Sequence, residues 1–223
     1  MKKESWYNLP ALLEYDKAHG VNPTFFIGVR TKKVLRMERG FSYSIKKARE
    51  AIQLIKAYGF DVGVHGIAFD DYEAMKWEYE TFKAISGLQN FGIRIHYLRL
   101  APDTLNNLAR IGYLFDSTVL SKDLSQQYKI GNMVEFPFHI MDAYLLGPEF
   151  NYTLEQAKLM TVDLLNKAER EGKGYVGILF HQRNLGKDFP HFRDWYLWLV
   201  EYCIRRGYEF VNYKDMIKEV VKK

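Results

Sequence analysis

SIKKAREAIQLIKAYGFDVGVH, residues 44–65, changes its period halfway along. Ile45, Ala48, Ile52 and Ile55 recur at helical spacing, and Gly59 stops the pattern. Asp61-Val62-Gly63-Val64-His65 follows, too short for a helix, and reads as a strand ending on a histidine. Working outward, the same alternation repeats. Trp6–Ala18 reads as an amphipathic helix closing at Gly20, and Thr24–Gly28 as a buried strand. Downstream come a helix over Asp71–Ser86, a strand over Ile93–Tyr97 and a helix over Asp103–Ile111. A strand over Met133–Phe138 precedes the helix Leu154–Arg170, whose start carries the capping-box pair Thr153 and Gln156. Tyr175–His181 reads as a strand, His191–Arg206 as a helix, Glu209–Val211 as a last strand and Tyr213–Val221 as the closing helix. Helices between short apolar strands predict an α/β protein with a parallel sheet or barrel. Residues 22–28, 61–65, 92–97, 133–138 and 175–181 are expected to lie as adjacent, mainly parallel strands. No linker rich in Pro, Gly or Ser divides the 223 residues, so one domain over 1–223 is expected.

Composition narrows the classes of function. One cysteine, Cys203, permits no internal disulfide and no Cys-x-x-Cys pair, and its apolar helical setting predicts a buried thiol. The formal charge is +5, but 32 basic residues are set against 27 acidic ones and are dispersed rather than gathered on one helix, which argues against nucleic-acid binding. No apolar run is long enough for a membrane span or a signal peptide, so a cytoplasmic protein is expected. No Gly-x-Ser-x-Gly, Walker-type or Gly-x-Gly-x-x-Gly motif is present, which disfavours serine hydrolysis and nucleotide binding.

The chemistry-bearing residues fall at strand ends, where parallel α/β proteins gather function. His65, His96, His139 and His181 all occupy such positions. Singly, each reads as a hydrogen-bonded structural group; jointly, they point to a metal site or acid–base chemistry. Asp70, Asp71, Asp116 and Asp142 stand close to them in sequence, Asp71 also reading as a helix N-cap. Arg94, within the strand before His96, needs a carboxylate partner if buried. Tyr72, Trp77, Tyr97 and Trp195 read either as core or as platforms for sugar rings.

The ordered series His65, Arg94-x-x-Tyr97, Gly112-Tyr113-x-x-Asp116-Ser117 and Leu179-Phe180-His181 resembles the polysaccharide deacetylase superfamily, carbohydrate esterase family 4, in an uncharacterised branch. The opening passage, a helix ending Lys17-Ala18-His19-Gly20-Val21 and then Pro23-Thr24-Phe25-Phe26, is similar to that family too. The resemblance implies a distorted, incomplete (β/α) barrel of about seven or fewer parallel strands. It implies a divalent metal, usually zinc, and hydrolysis of an acetyl group from an N-acylated sugar or polysaccharide. By that likeness His65 is a metal ligand, Arg94 orients the base, His181 is the acid, and Asp116 is the acidic residue after the Gly-Tyr motif. Tyr97, with His139 and Trp195, lines the substrate groove. The family's second metal histidine falls on Phe69 here, which leaves Asp70 or His96 as the second ligand. The family's first acidic pair would precede the Trp6–Ala18 helix and is not in the sequence. A strand bearing it is therefore expected to be encoded upstream of Met1, with Thr24–Ile27 left as an exposed edge. The alternative reading is a non-catalytic relative that binds carbohydrate or a protein partner.

Overall fold

The structure is a computed structural model, which describes residues 8–30, 43–150 and 152–221. In chain order the elements are α1 (Leu9–Ala18), β1 (Thr24–Ile27), α2 (Ile45–Ala57), β2 (Asp61–Gly66), α3 (Tyr72–Ser86), β3 (Ile93–Ile95) and α4 (Thr104–Ile111). Then follow β4 (Phe115–Asp116), β5 (Tyr128–Ile130), β6 (Met133–Glu135), β7 (Ile140–Met141), α5 (Asp142–Leu146), α6 (Leu154–Arg170), β8 (Ile178–Leu179), α7 (Pro190–Arg206) and α8 (Tyr213–Val221). They divide into two compact units. One comprises residues 22–119, 127–136 and 211–221; the other comprises 8–21, 120–126 and 137–210.

The first of these units holds a six-stranded sheet in the order β1-β2-β3-β4-β6-β5. β1 through β4 and β6 run parallel, and β5 pairs antiparallel with β6. Local chemistry sets the helix boundaries. Ser44 accepts from the Lys47 N–H at the start of α2, and Asp71 from the Ala74 N–H at the start of α3. Gly87, at φ +70°, ends α3 in the left-handed region that glycine enters without cost. Ile52, Ile55, Val64, Met75, Phe82, Phe91, Ile93 and Phe115 are fully buried, each contributing roughly 1.5–3 kcal/mol of hydrophobic stabilisation. Gly92 lies so close to the Phe115 ring that a methyl group there would overlap it.

The second unit holds a two-stranded parallel ribbon, β7 with β8, together with α1, α5, α6 and α7. The capping box at α6 is complete: Thr153 accepts from the Gln156 N–H, and Gln156 accepts from the Thr153 N–H. Leu165, Trp195, Leu199, Val200 and Cys203 are buried, and burial pushes the Cys203 thiol up to about 11.

The result is an α/β protein with a mostly parallel sheet. Among the described residues that sheet does not close into a barrel, its edges being β1 and β5. Several boundaries differ from expectation. Residues 133–138 are not adjacent to 92–97, because the two-residue strand β4 intervenes between β3 and β6. Of 175–181 only Ile178–Leu179 is strand, and it pairs with β7 rather than joining the large sheet. The strand at 93–97 stops at Ile95, where a 3-10 turn takes over with Tyr97 and Leu98 at positive φ. Glu209–Val211 is an irregular connection rather than a strand. The expected start of the first helix at Trp6 lies outside the described residues. No helix among the described residues is long and apolar enough to cross a membrane.

Candidate functional site

In the six-stranded unit, the end of β2 is held by side chains from its neighbours. Glu78 of α3 is fully buried and accepts from the backbone N–H groups of Ile67 and Ala68 at 3.0–3.2 Å. That contact satisfies two donors as the chain leaves the sheet just after His65. Arg99 donates to the Ile67 carbonyl, and the Thr104 hydroxyl donates to the Phe69 carbonyl. His65 Nδ1 lies 3.0 Å from the Arg94 carbonyl oxygen. A carbonyl only accepts, so His65 carries a proton on Nδ1, and in the neutral ring Nε2 keeps the lone pair. The His96 ring lies beside it, centroids 4.9 Å apart, and Tyr97 stacks on His96 at 4.1 Å while remaining 61% exposed.

Arg94 is buried on β3. Its Nε donates to the Ser117 carbonyl and its Nη2 to the Ser117 hydroxyl, both at 2.8 Å, and Nη2 also donates to the Tyr213 hydroxyl at 2.9 Å. The guanidinium sits 4.6 Å from the centroid of the Phe26 ring. Arg94 also favours the charged forms of Asp116 and Glu135. Asp116 has no exposed surface, so it cannot meet a substrate as the catalytic group the sequence suggested. Its role is to hold the turn that follows it.

In the ribbon unit, the Asp142 carboxylate is fully buried at the start of α5. Oδ1 lies 2.7 Å from His181 Nδ1 and accepts from the Ala143 N–H. Oδ2 accepts from the His181 N–H and from Asn184 Nδ2, each at 2.8 Å. Four hydrogen bonds thus converge on one carboxylate, and His181 keeps 37% of its side chain exposed. This is an oriented imidazole with its outer edge open to solvent, the arrangement general acid–base chemistry requires.

The remaining expectations separate by burial. His139 is not a surface group that touches substrate: its Nδ1 accepts from the Gly177 N–H and its Nε2 donates to the Ser125 carbonyl, each at 2.9 Å. Burial, the largest influence, lowers its pKa, so it is a neutral structural lock between two loops. Trp195 is completely buried, and its indole N–H donates to Thr161, which makes it core rather than a sugar platform. Asp70 is exposed at the end of the loop after β2. Two buried acids that shape these surroundings carried no assigned role in the sequence. Asp142 was visible only as an acid three residues after His139, and Glu135 lay inside an apolar run read simply as strand.

A catalytic zinc takes three protein ligands and a water. His65 and His96 can offer two imidazoles, but among the described residues no group of three or more His, Cys, Asp or Glu is placed to hold a metal ion. The described residues do not by themselves make up such a site.

No family model matches the chain, and no curated protein matches it in sequence. A solved structure does match in fold. The crystal structure of a candidate polysaccharide deacetylase from Mycobacterium smegmatis superposes with a TM-score of 0.70 at 18% identity, over 98% of this chain and 78% of that one. A candidate polysaccharide deacetylase involved in O-antigen biosynthesis, from Bordetella bronchiseptica, aligns with a TM-score of 0.41 at 22% identity, over 65% of this chain and 58% of that one. From the first of these, the fold of this chain is the deacetylase-like one.

Proposed function

We propose that the protein is a hydrolase that removes an acetyl or related acyl group from an N-acylated sugar or polysaccharide. The observation that carries this reading is the Asp142–His181 pair, a buried carboxylate fixing an exposed imidazole. With Nδ1–H bound to Asp142, His181 presents Nε2 for proton transfer. As water adds to the acyl carbon, Nε2 takes the proton that the water loses. As the C–N bond breaks, Nε2 passes that proton to the departing amine, which returns the ring to its starting state. Asp142 stays ionised throughout and balances the positive charge while the ring carries two protons. The substrate class rests on the fold likeness; the exposed ring of Tyr97, in the other unit, bears on binding alone.

A second reading, a carbohydrate-binding protein without turnover, is favoured by that same ring, which is displayed on His96 at a left-handed turn. The test is release of acetate from a panel of N-acetylated oligosaccharides. The hydrolase reading expects release by the wild type and loss of that release in His181→Ala. Oligosaccharide binding without release would overturn it in favour of the second reading.

A further inference from the structure

Asp116 and Glu135 are register partners on β4 and β6, and both side chains are fully buried. The two carboxyl groups are close enough for each to act on the titration of the other. Both oxygens of Asp116 are already satisfied. Oδ1 accepts from the Thr118 hydroxyl at 2.6 Å and Oδ2 from the Thr118 N–H at 3.1 Å. Glu135 Oε1 accepts from the Val119 N–H at 3.1 Å, while Oε2 is buried and meets no donor among the described residues. Two carboxylates in contact repel, and two acceptor oxygens bond only when one of them carries a proton. Both Asp116 oxygens already accept a bond while Glu135 Oε2 meets no donor, so the proton belongs on Glu135.

We propose that Asp116 and Glu135 share one proton, held on Glu135, and that this bridged pair seats the 117–119 turn that fixes Arg94. The connections are direct. Ser117 receives Arg94 through its carbonyl and its hydroxyl, and Thr118 Oγ1 accepts the Ile95 N–H at 2.9 Å. Glu135 therefore touches no reacting group; it is a positioning residue for Arg94 and for the end of β3. Electrostatics agree with the geometry. Burial foremost, and then the Asp116 charge, push Glu135 up to about 11, although Arg94 opposes the shift. The other titratable groups facing the pair are Tyr128 of β5, raised by burial and then by Glu135 and Asp116, and Tyr113 before β4, raised by burial and then by Glu78, Tyr79 and Asp116.

Infrared spectroscopy of the whole protein at pH 9 tests the proton. Ordinary carboxyls are ionised there, and so is Asp16, which titrates at about 7. The wild type minus Glu135→Gln difference spectrum should contain a protonated-carboxyl band, and its absence would overturn the proposal. The positioning role is read separately by NMR from the Arg94 Nε–H signal. Glu135→Gln keeps a donor toward Asp116 and should preserve slow exchange of that proton, whereas Glu135→Ala should speed it at least tenfold. Equal exchange in the Ala variant and the wild type would overturn the positioning role. Should the Ala variant fail to fold, Glu135→Met, which fills the space without offering a donor, supplies a second arm. Exchange of the Arg94 Nε–H should again speed at least tenfold, and exchange equal to the wild type's would overturn the positioning role.

Discussion

His65 and His181 are both anchored through Nδ1, but by different means. His65 is anchored on a backbone carbonyl inside a six-stranded sheet, and His181 on a buried carboxylate beside a two-residue ribbon. The difference is chemical. A carbonyl fixes the tautomer and adds no charge, which suits an imidazole that offers a lone pair. A carboxylate fixes the tautomer and also balances the charge of a doubly protonated ring, which suits proton transfer. The anchors also differ in origin. Strand pairing brings both anchors in, but the carbonyl is backbone that any residue at 94 would supply, whereas the carboxylate is the side chain of one residue directly after β7. Sheet-held chemistry is therefore robust to side-chain changes, and ribbon-held chemistry depends on one residue.

That contrast is broken most severely at the ribbon. His181→Ala should lower acetate release by a factor on the order of 10²–10⁴, because the proton-transfer group is gone. Within the sheet, Gly92→Ala should cost roughly 3 kcal/mol in urea unfolding, since a methyl group would meet the buried Phe115 ring just ahead of β3. An unchanged unfolding midpoint would show that the sheet relaxes more freely than described.

These features were unequally legible in the sequence. The Ser44–Gly59 helix, the Asp71 cap and the Thr153–Gln156 box are local, each set within a few residues, and they lie where their spacing predicted. β5 was missed because its residues are exposed or half-exposed and carry no buried alternation. Residues 175–181 look like an interior strand, yet only Ile178 and Leu179 pair in register, with Ile140 and Met141. His181 was legible as a strand-end histidine, but its partner Asp142 was not, since no local pattern links residues 39 apart. The catalytic reading of Asp116 came from the family resemblance alone; burial, which a sequence does not display, assigns it to the turn instead. Trp195 lies on an amphipathic helix whose inward face could not be told from its groove face by spacing alone.

A smaller effect sharpens the ribbon side of the comparison through pH. Asp16 on α1 is buried and accepts from the Tyr196 hydroxyl, and Tyr196 stacks on Phe180, the neighbour of His181. Burial raises Asp16 from 3.8 to about 7, against the lowering effects of Tyr196 and His19. The folded state thus holds a proton that the unfolded chain releases above pH 4. The stability this gives is complete below about pH 4 and is lost as the pH rises through 7, by up to about 4 kcal/mol. Asp16→Asn should flatten that decline between denaturant titrations at pH 5 and pH 8; an equal decline in the variant would remove Asp16 as its source.

The smallest effect carries no change in rate at all. Nitrogen-15 NMR should show the neutral His65 ring protonated on Nδ1 and His139 on Nε2, as their carbonyl partners require. The reverse tautomer at His65 would dissolve the contrast between the two anchors.

The central claim is that Asp142 and His181 act as one unit, and a double-mutant cycle on acetate release from an N-acetylated oligosaccharide tests it most directly. Asp142→Asn, His181→Ala and the double variant should all fall by a similar order of magnitude, the second change adding little to the first. Wild-type turnover in Asp142→Asn, or losses that simply multiply in the double variant, would contradict the account.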